Sequence, residues 1–530
     1  MDYLSRPRRS FYKHHRNNLS EEHFVGQSDE DQNTDNEICT IASRKFGTGG
    51  ANSAPRYESD ETEETLTVED VLETTGFGKF QWKLCALTGL SWTGDAMEMM
   101  ILSILSPQLK CEWRLPGYKV ALITSVVFIG MLLGCPIWGQ VSDKYGRRIG
   151  LTMCMCWILF YGLLSAFSPG YGWVLLLRGL VGFGVGGSPQ AVTLYSEFLP
   201  IKKRGTSIMM MSLFFSVGTM FVVLLALWIM PTLGWRWLVG VSTLPLAIFM
   251  CFTFWLPESP RYDLLTGNTE KAMATLQRIA RENGKTMPQG KVIAHKQKNR
   301  GQIKDLLSPQ YRKTTLLLLF IWFANAFSYY GIVLMTPELL QSGGICGLTG
   351  GTKSESSCNL QCNYLTSADY KDMSWTTFAE MPGVFGVLLM VERIGRKNSM
   401  ALCFFFFFFT ISLLYACIGR IPLTIFIFIA RAFITGGFQA AYVYTPEVFP
   451  TETRAFALGT CSAMARCGSL ITPFVSEVML RKSMYLTLSI YCGCSLLAGI
   501  MCLILPMETS GKSLQETTLT RRQMTTATSQ

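Results

Sequence analysis

Histidine is nearly absent from this 530-residue chain: there are four, His14, His15, His23 and His295, and none lies in an apolar stretch. That excludes an imidazole relay within a buried segment. Charge is scarce as well. Only 16% of residues are charged while 49% are hydrophobic, and mean hydropathy is +0.26, which excludes an ordinary soluble enzyme. No nucleotide-hydrolysis motif is present, so any work done must draw on an ion or solute gradient. No apolar signal region precedes residue 80. Residues 1–79, polar and carrying "ESDETEE" at 58–64, therefore read as a disordered acidic cytosolic tail without a cleaved signal, open to cytosolic partners.

Long apolar runs are abundant. Crossing the hydrocarbon core takes roughly 20 apolar residues, and about twelve runs meet that length. Six fall near Phe80–Ser106, Val120–Val141, Ile149–Phe167, Trp173–Glu197, Thr206–Met230 and Trp237–Leu256; six more near Thr314–Thr336, Ser374–Val391, Ser399–Ile418, Leu423–Tyr444, Ala455–Met479 and Met484–Leu505. The expected plan is an all-α membrane protein with a first half over 80–262 and a second over 314–506. A cytosolic linker spans 263–313, where "GNTEKAMATLQRIARENGK" has helical spacing, and a cytosolic tail spans 507–530. Lys144, Arg147, Arg148, Lys202, Lys203, Arg204, Arg393, Arg396 and Lys397 fall on one side, which places that side and both termini in the cytosol. The formal charge of +10 is accounted for by these flanks and by anionic lipid, not by nucleic acid.

Most of the 17 cysteines lie within apolar runs. Cys111 and the long-loop residues Cys346, Cys358 and Cys362 lie on the opposite, oxidising side and are disulfide candidates. That loop, 337–373, has no N-x-Ser/Thr acceptor. The one match, Asn18-Leu19-Ser20, sits in the tail and should stay unmodified.

The two halves share a plan. "GQVSDKYGRR" (139–148) follows the second run and "MVERIGRK" (390–397) the eighth, placing Asp143 and Glu392 249 residues apart. Glu197 and Arg204 recur 250 residues on as Glu447 and Arg454, and Arg178 recurs 253 on as Arg431. Charges repeating at one large offset indicate an internal duplication, as in rocking carriers.

These motifs, with "LPESPRY" (256–262), "YTPEVFPTETRA" (444–455) and "LPMETSGKSLQE" (505–516), resemble the major facilitator superfamily, sugar porters and organic ion transporters included. "GFGKFQWKL", "GDAMEMMILSILSPQLKCEWRLP" and "ARAFITGGFQAAYVYTPEVFPTETRA" resemble its vesicle glycoprotein branch, which implies residence in a cytoplasmic, synaptic vesicle membrane, with the plasma membrane as the alternative. The resemblance assigns a gating role to Gly139, Asp143, Gly146, Arg147, Arg148, Arg178, Glu197, Arg204, Glu258 and Arg261, and to Glu392, Gly395, Arg396, Lys397, Arg431, Glu447 and Arg454. Gly139 would let helices approach closely, Asp143 would cap and pair, and Gly146 would turn the chain. The other reading of these residues is topology signal plus helix caps.

An ionisable group at mid-span costs at least about 2.5 kcal/mol, so it should face a cavity or a partner. Asp95 and Glu98 lie three residues apart on one helical face. With Glu380 they are the carboxylates available for proton coupling or cation binding; alternatively, one pairs with Arg178 to fix packing. Arg466, in "CSAMARCGSLITPF" (461–474), is a permanent cation suited to carboxylate, sulfate or phosphate, and "MARCGS" resembles a substrate-contacting stretch of organic anion transporters. Gln190, Asn325, Tyr329, Tyr330, Gln439, Tyr442 and Tyr444 would complete the cavity. "GFGVGG" at 182–187 reads as helix packing and not as dinucleotide binding, and "FFFFFF" at 404–409 as a lipid-facing span. Residues 80–506 thus suggest a secondary carrier of a small organic ion, with no cofactor or metal. A non-transporting vesicle scaffold and a sugar porter are the alternatives.

Overall fold

The computed structural model describes residues 65–293, 306–341, 364–416, 418–449 and 451–509. Everything from 65 onward belongs to one compact unit, Thr62–Gln530. Six spans form the first half: Lys79–Glu112; Gly117–Tyr145; Arg147–Ala166; Tyr171–Val185 continuing as Pro189–Ser196; Ile201–Ile229; and Trp235–Ser242 continuing as Leu244–Phe252. Six form the second: Arg312–Gln341; Ser367–Phe378 continuing as Glu380–Ile394; Arg396–Leu413; Arg420–Val448; Thr451–Pro473 continuing as a π-helical turn, Phe474–Met479; and Met484–Ile504.

Eight of these segments are long and apolar enough to cross a membrane: the second, third, fifth, sixth, seventh, eighth, tenth and twelfth. The other four are helical but fall short for physical reasons. The first and eleventh carry polar and charged residues, the fourth is interrupted at 186–188, and the ninth opens on Arg396, Lys397 and Asn398.

Glycine sets the close contacts inside each half. A methyl group on Gly182 would lie 2.2 Å from the Val127 carbonyl, and one on Gly134 would lie 2.0 Å from that of Phe183, so the second and fourth spans touch backbone to backbone. "GFGVGG" is packing surface. In the second half Gly383 does the same against Ala432, at 2.3 Å. Gly139 does not share this role, because a methyl there would meet nothing within 4 Å. The phenylalanine run also departs from expectation: Phe404 and Phe407 are fully buried, and it is Phe406 and Phe409 that face outward. A run that covers all faces of a helix must present some of them to the bundle.

The turns at Gly146 and Gly395 lie on one side of the bundle, here called the motif face; the turns at 113–116 and 483 lie on the opposite face. Between the halves, the first span meets the seventh, the second meets the eleventh and its π-helical turn, and the fifth meets Ser367–Phe378 and Glu380–Ile394. Several of these contacts lie toward the opposite face, and there Ser125 Oγ donates to the Leu470 carbonyl at 3.3 Å.

Two parts of the polar segments are ordered. Thr65–Thr67 (β1) pairs in parallel with Lys291–Ile293 (β2), and a helix follows at Val68–Thr75. A reciprocal capping box between Thr67 and Asp70 starts it, and Val68, Val71 and Leu72 are buried. The tail reading of 1–79 therefore extends too far. The expected linker helix is present at Thr269–Asn283, where Leu276 and Ile279 are buried. Asn283 holds the start of the first span. Its Oδ1 accepts from the Phe80 amide at 3.1 Å, and its Nδ2 donates to Gln81 Oε1 at 2.9 Å.

Candidate functional site

Asp95 lies in the interior of the bundle, 2% exposed, and neither carboxylate oxygen has a hydrogen-bond partner. The Ser188 hydroxyl on the broken fourth span is the polar group beside it, outside strict hydrogen-bond geometry, and the charges that reach it are Glu98 and Arg466. Arg466 comes from the eleventh span, in the other half. It makes no ion pair among the described residues, and its guanidinium lies beside the hydroxyl of Tyr330, with Tyr442 close by. Ser188, Gln190, Gln439, Tyr442 and Arg466 keep partial exposure. Aromatic rings line the same region. Trp322 packs on Tyr442 at 4.6 Å, Tyr329 on Tyr330 at 5.1 Å, and Phe128 meets Tyr330 across the two halves at 4.8 Å. Such a site offers a negative group, a positive fork and flat apolar faces.

Glu98 is engaged elsewhere. It pairs with Arg178 Nη1 at 2.6 Å and accepts from Ser242 at 3.1 Å, both ions being 1% exposed. Of the adjacent carboxylates, then, one is neutralised within its own half and one is left without a partner. Glu380 is also paired, with Arg431 at 2.9 Å and with the Tyr329 hydroxyl at 3.0 Å. Thr219 on the fifth span donates to its second oxygen at 3.0 Å, so Glu380 ties the halves together. Arg178 and Arg431, grouped above with the motif-face residues, are buried partners of these carboxylates.

On the motif face Arg147 binds Asp143 at 2.6 Å and Glu197 at 3.3 Å. Glu258 accepts from the backbone amides of Arg147 (2.8 Å) and Arg148 (3.2 Å), capping the third span. Gly146 has φ 106°, and a methyl there would strike the Glu258 carboxylate. Burial pushes the Glu258 carboxyl above its usual range, against the pull of the Ser259, Arg148 and Arg147 amides. The second half repeats the arrangement. Arg396 binds Glu447 at 3.1 Å, Gly395 has φ 90°, and Glu508 accepts from the amides of Arg396 (2.8 Å) and Lys397 (3.1 Å). Glu508 was not among the sequence candidates, although it stands 250 residues after Glu258, the same offset as Glu197 to Glu447. Arg204 and Arg454, one from each half, lie within reach of each other's charge, and Nε of both is buried without a partner.

Some expected members lie apart. Glu392 is exposed and makes no ion pair among the described residues. Arg261 pairs with Glu69 on the Val68–Thr75 helix. Tyr444 is buried and donates to the Met507 carbonyl at 2.7 Å, outside the interior site. Two residues along a helix turn a side chain by about 200°, so Tyr442 and Tyr444 cannot share a face. Asn325 is buried with both amide atoms unpartnered. Cys111 is disulfide-bonded while every other described cysteine is free; Cys346, Cys358 and Cys362 lie outside the described residues.

This all-α architecture, two six-span halves meeting around an interior charged site, is that of a membrane carrier. The chain belongs to the sugar (and other) transporter family of the major facilitator superfamily, whose family model matches residues 111–519. It is 59% identical over 465 residues to the synaptic vesicle 2-related protein of Xenopus laevis, covering 88% of this chain and 85% of that one. It is 37% identical over 500 residues to the organic cation/carnitine transporter 7 of Arabidopsis thaliana, covering 85% and 96%. The xylose transporter XylE of E. coli, in a partially occluded inward open conformation, superposes with a TM-score of 0.63 at 16% identity, covering 82% of this chain and all of that one. That likeness is one of fold.

Proposed function

We propose that the protein is a secondary transporter of a small organic ion, an anion or a zwitterion, working by alternating access with proton coupling through Asp95. The observation that carries this reading is the Asp95–Arg466 arrangement: opposite charges on different halves, each without an ion-pair partner. A ligand bearing a carboxylate would satisfy Arg466, and the change in cross-half charge would favour one arrangement of the halves over the other. One relative bears the name of an organic cation/carnitine transporter, and a substrate holding both signs of charge suits this pair.

Because Glu98 and Glu380 already have arginine partners, Asp95 is, of these three carboxylates, the one whose protonation state is free to change during a cycle. The Arg147 and Arg396 clusters gate the motif face. That face and both termini are cytosolic, and the membrane is that of a cytoplasmic vesicle. Protein reconstituted in liposomes should take up one charge class in a saturable, pH-gradient-dependent manner, with loss in Asp95→Asn and altered substrate choice in Arg466→Ala. Absence of flux for every charge class would overturn the reading in favour of a binding or scaffold protein, whose function would survive both substitutions and depend on the acidic tail.

A further inference from the structure

Glu477, 4% exposed, is like Asp95 a buried carboxylate with both oxygens unpartnered, and the transport reading leaves it without a task. It lies in the π-helical turn Phe474–Met479, which follows Pro473 and packs against the second span of the first half and the seventh span of its own. Such turns are rare and frequently mark functional sites.

The groups around it do not compensate a negative charge. The seventh span contributes Glu338, whose own charge is taken up by Arg481 just beyond the turn. The first span contributes the Ser106 hydroxyl and the twelfth Tyr491, whose hydroxyl is also unpartnered. The second span contributes none of the charged groups whose fields reach Glu477. An ionised carboxylate sealed in this position would exchange its hydration for at most the Ser106 hydroxyl and no cation of its own, so it takes up a proton or the seal parts.

We propose that Glu477 is a proton-binding site that locks the opposite face: with the carboxyl neutral the second and eleventh spans close over it, and ionisation separates them. The inference rests on the carrier reading only in requiring that the halves part at this face. Proton uptake at Glu477 comes from the solution on that side, and is distinct from protonation of Asp95 in the interior.

The test is hydrogen–deuterium exchange of the full-length protein in nanodiscs across a pH series, corrected for intrinsic rates, following 117–127 and 471–479. Wild type should exchange at least about tenfold faster in these segments as the pH rises, and Glu477→Gln should stay protected throughout. Glu338→Gln, which removes the adjacent negative charge, should move the wild-type midpoint about one unit lower. The response should persist when sodium is replaced by N-methylglucamine. An unchanged midpoint in both Glu477→Gln and Glu338→Gln would overturn the proposal, as would dependence on sodium. Liposomes without flux but with an intact exchange response would refute the carrier reading alone.

Discussion

Glu508 stands to Arg396 as Glu258 stands to Arg147: each carboxylate caps the helix that its arginine begins, across a glycine of positive φ. Two turns of the same geometry, about 250 residues apart, hold the motif-face corners of the two halves. Glu258→Ala and Glu508→Ala should each lower stability by about 1–2 kcal/mol, as for loss of a helix cap whose acceptor oxygens hold two backbone amides, and the double variant should be additive. Thermal unfolding of the purified protein reads this directly.

Replacing Glu98 should be far more damaging than replacing Asp95. Glu98→Gln leaves the Arg178 guanidinium buried without its counter-ion, at a cost of about 3–5 kcal/mol. Asp95 has no partner to abandon, so Asp95→Asn should fold at least as well as wild type. Fluorescence-detected size exclusion after a heat step would rank the two, and the opposite order would remove Glu98–Arg178 as the structural pair.

Glu380 and Thr219 bind across the halves, which makes their coupling measurable. A cycle of Thr219→Val, Glu380→Gln and the double variant should give an interaction of about 0.5–3 kcal/mol, since the residues touch. A value near zero would mean that the halves do not lean on this contact.

The glycine contacts allow a paired test. Gly182→Ala sets a methyl against the Val127 carbonyl and should cost about 1–3 kcal/mol or more, because neither backbone can move aside. Gly139→Ala, which meets open space, should be near neutral apart from a small gain in helix propensity, and melting temperatures would separate the two.

Acid should act with opposite sign on Glu258 and Glu282. Burial raises the Glu258 carboxyl above 4.5, so its contribution is complete below pH 4.5 and is lost as pH rises through the folded value. Glu282, on the linker helix, is also desolvated, but hydrogen bonds and charge from Arg278 and Lys83 outweigh this and leave it below 4.5. Its contribution is present above pH 4.5 and lost as pH falls through the folded value. Hydrogen exchange should show the Thr269–Asn283 helix loosening in acid while the Gly146 corner holds, with Glu282→Gln flattening the linker response.

The duplication was readable because charges next to a membrane are few and their spacing survives. Partner choice was not readable. Asp95 and Glu98 share a helical face, yet the 60° between them decides which one reaches Arg178 and Ser242 on the fourth and sixth spans. Glu508 escaped notice because Met507 interrupts the "LPES" pattern, although the 250-residue offset pointed to it. Glu477 looked like the end of a span, and its unpartnered state depends on a helical bulge that no periodicity announces. The Thr67–Asp70 capping box, by contrast, was visible in "TVED" and marks order where composition alone suggested a tail.

Arg204 and Arg454 bring like charges toward one another from the two halves. In the alternating-access reading proposed above, closing the motif face would press these charges together, so closure would work against an electrostatic spring. High salt weakens that spring, because ions shorten its range to about 8 Å at 0.15 M and less above it. On that reading the resting bias of the molecule would belong to its bathing solution as well as to its sequence.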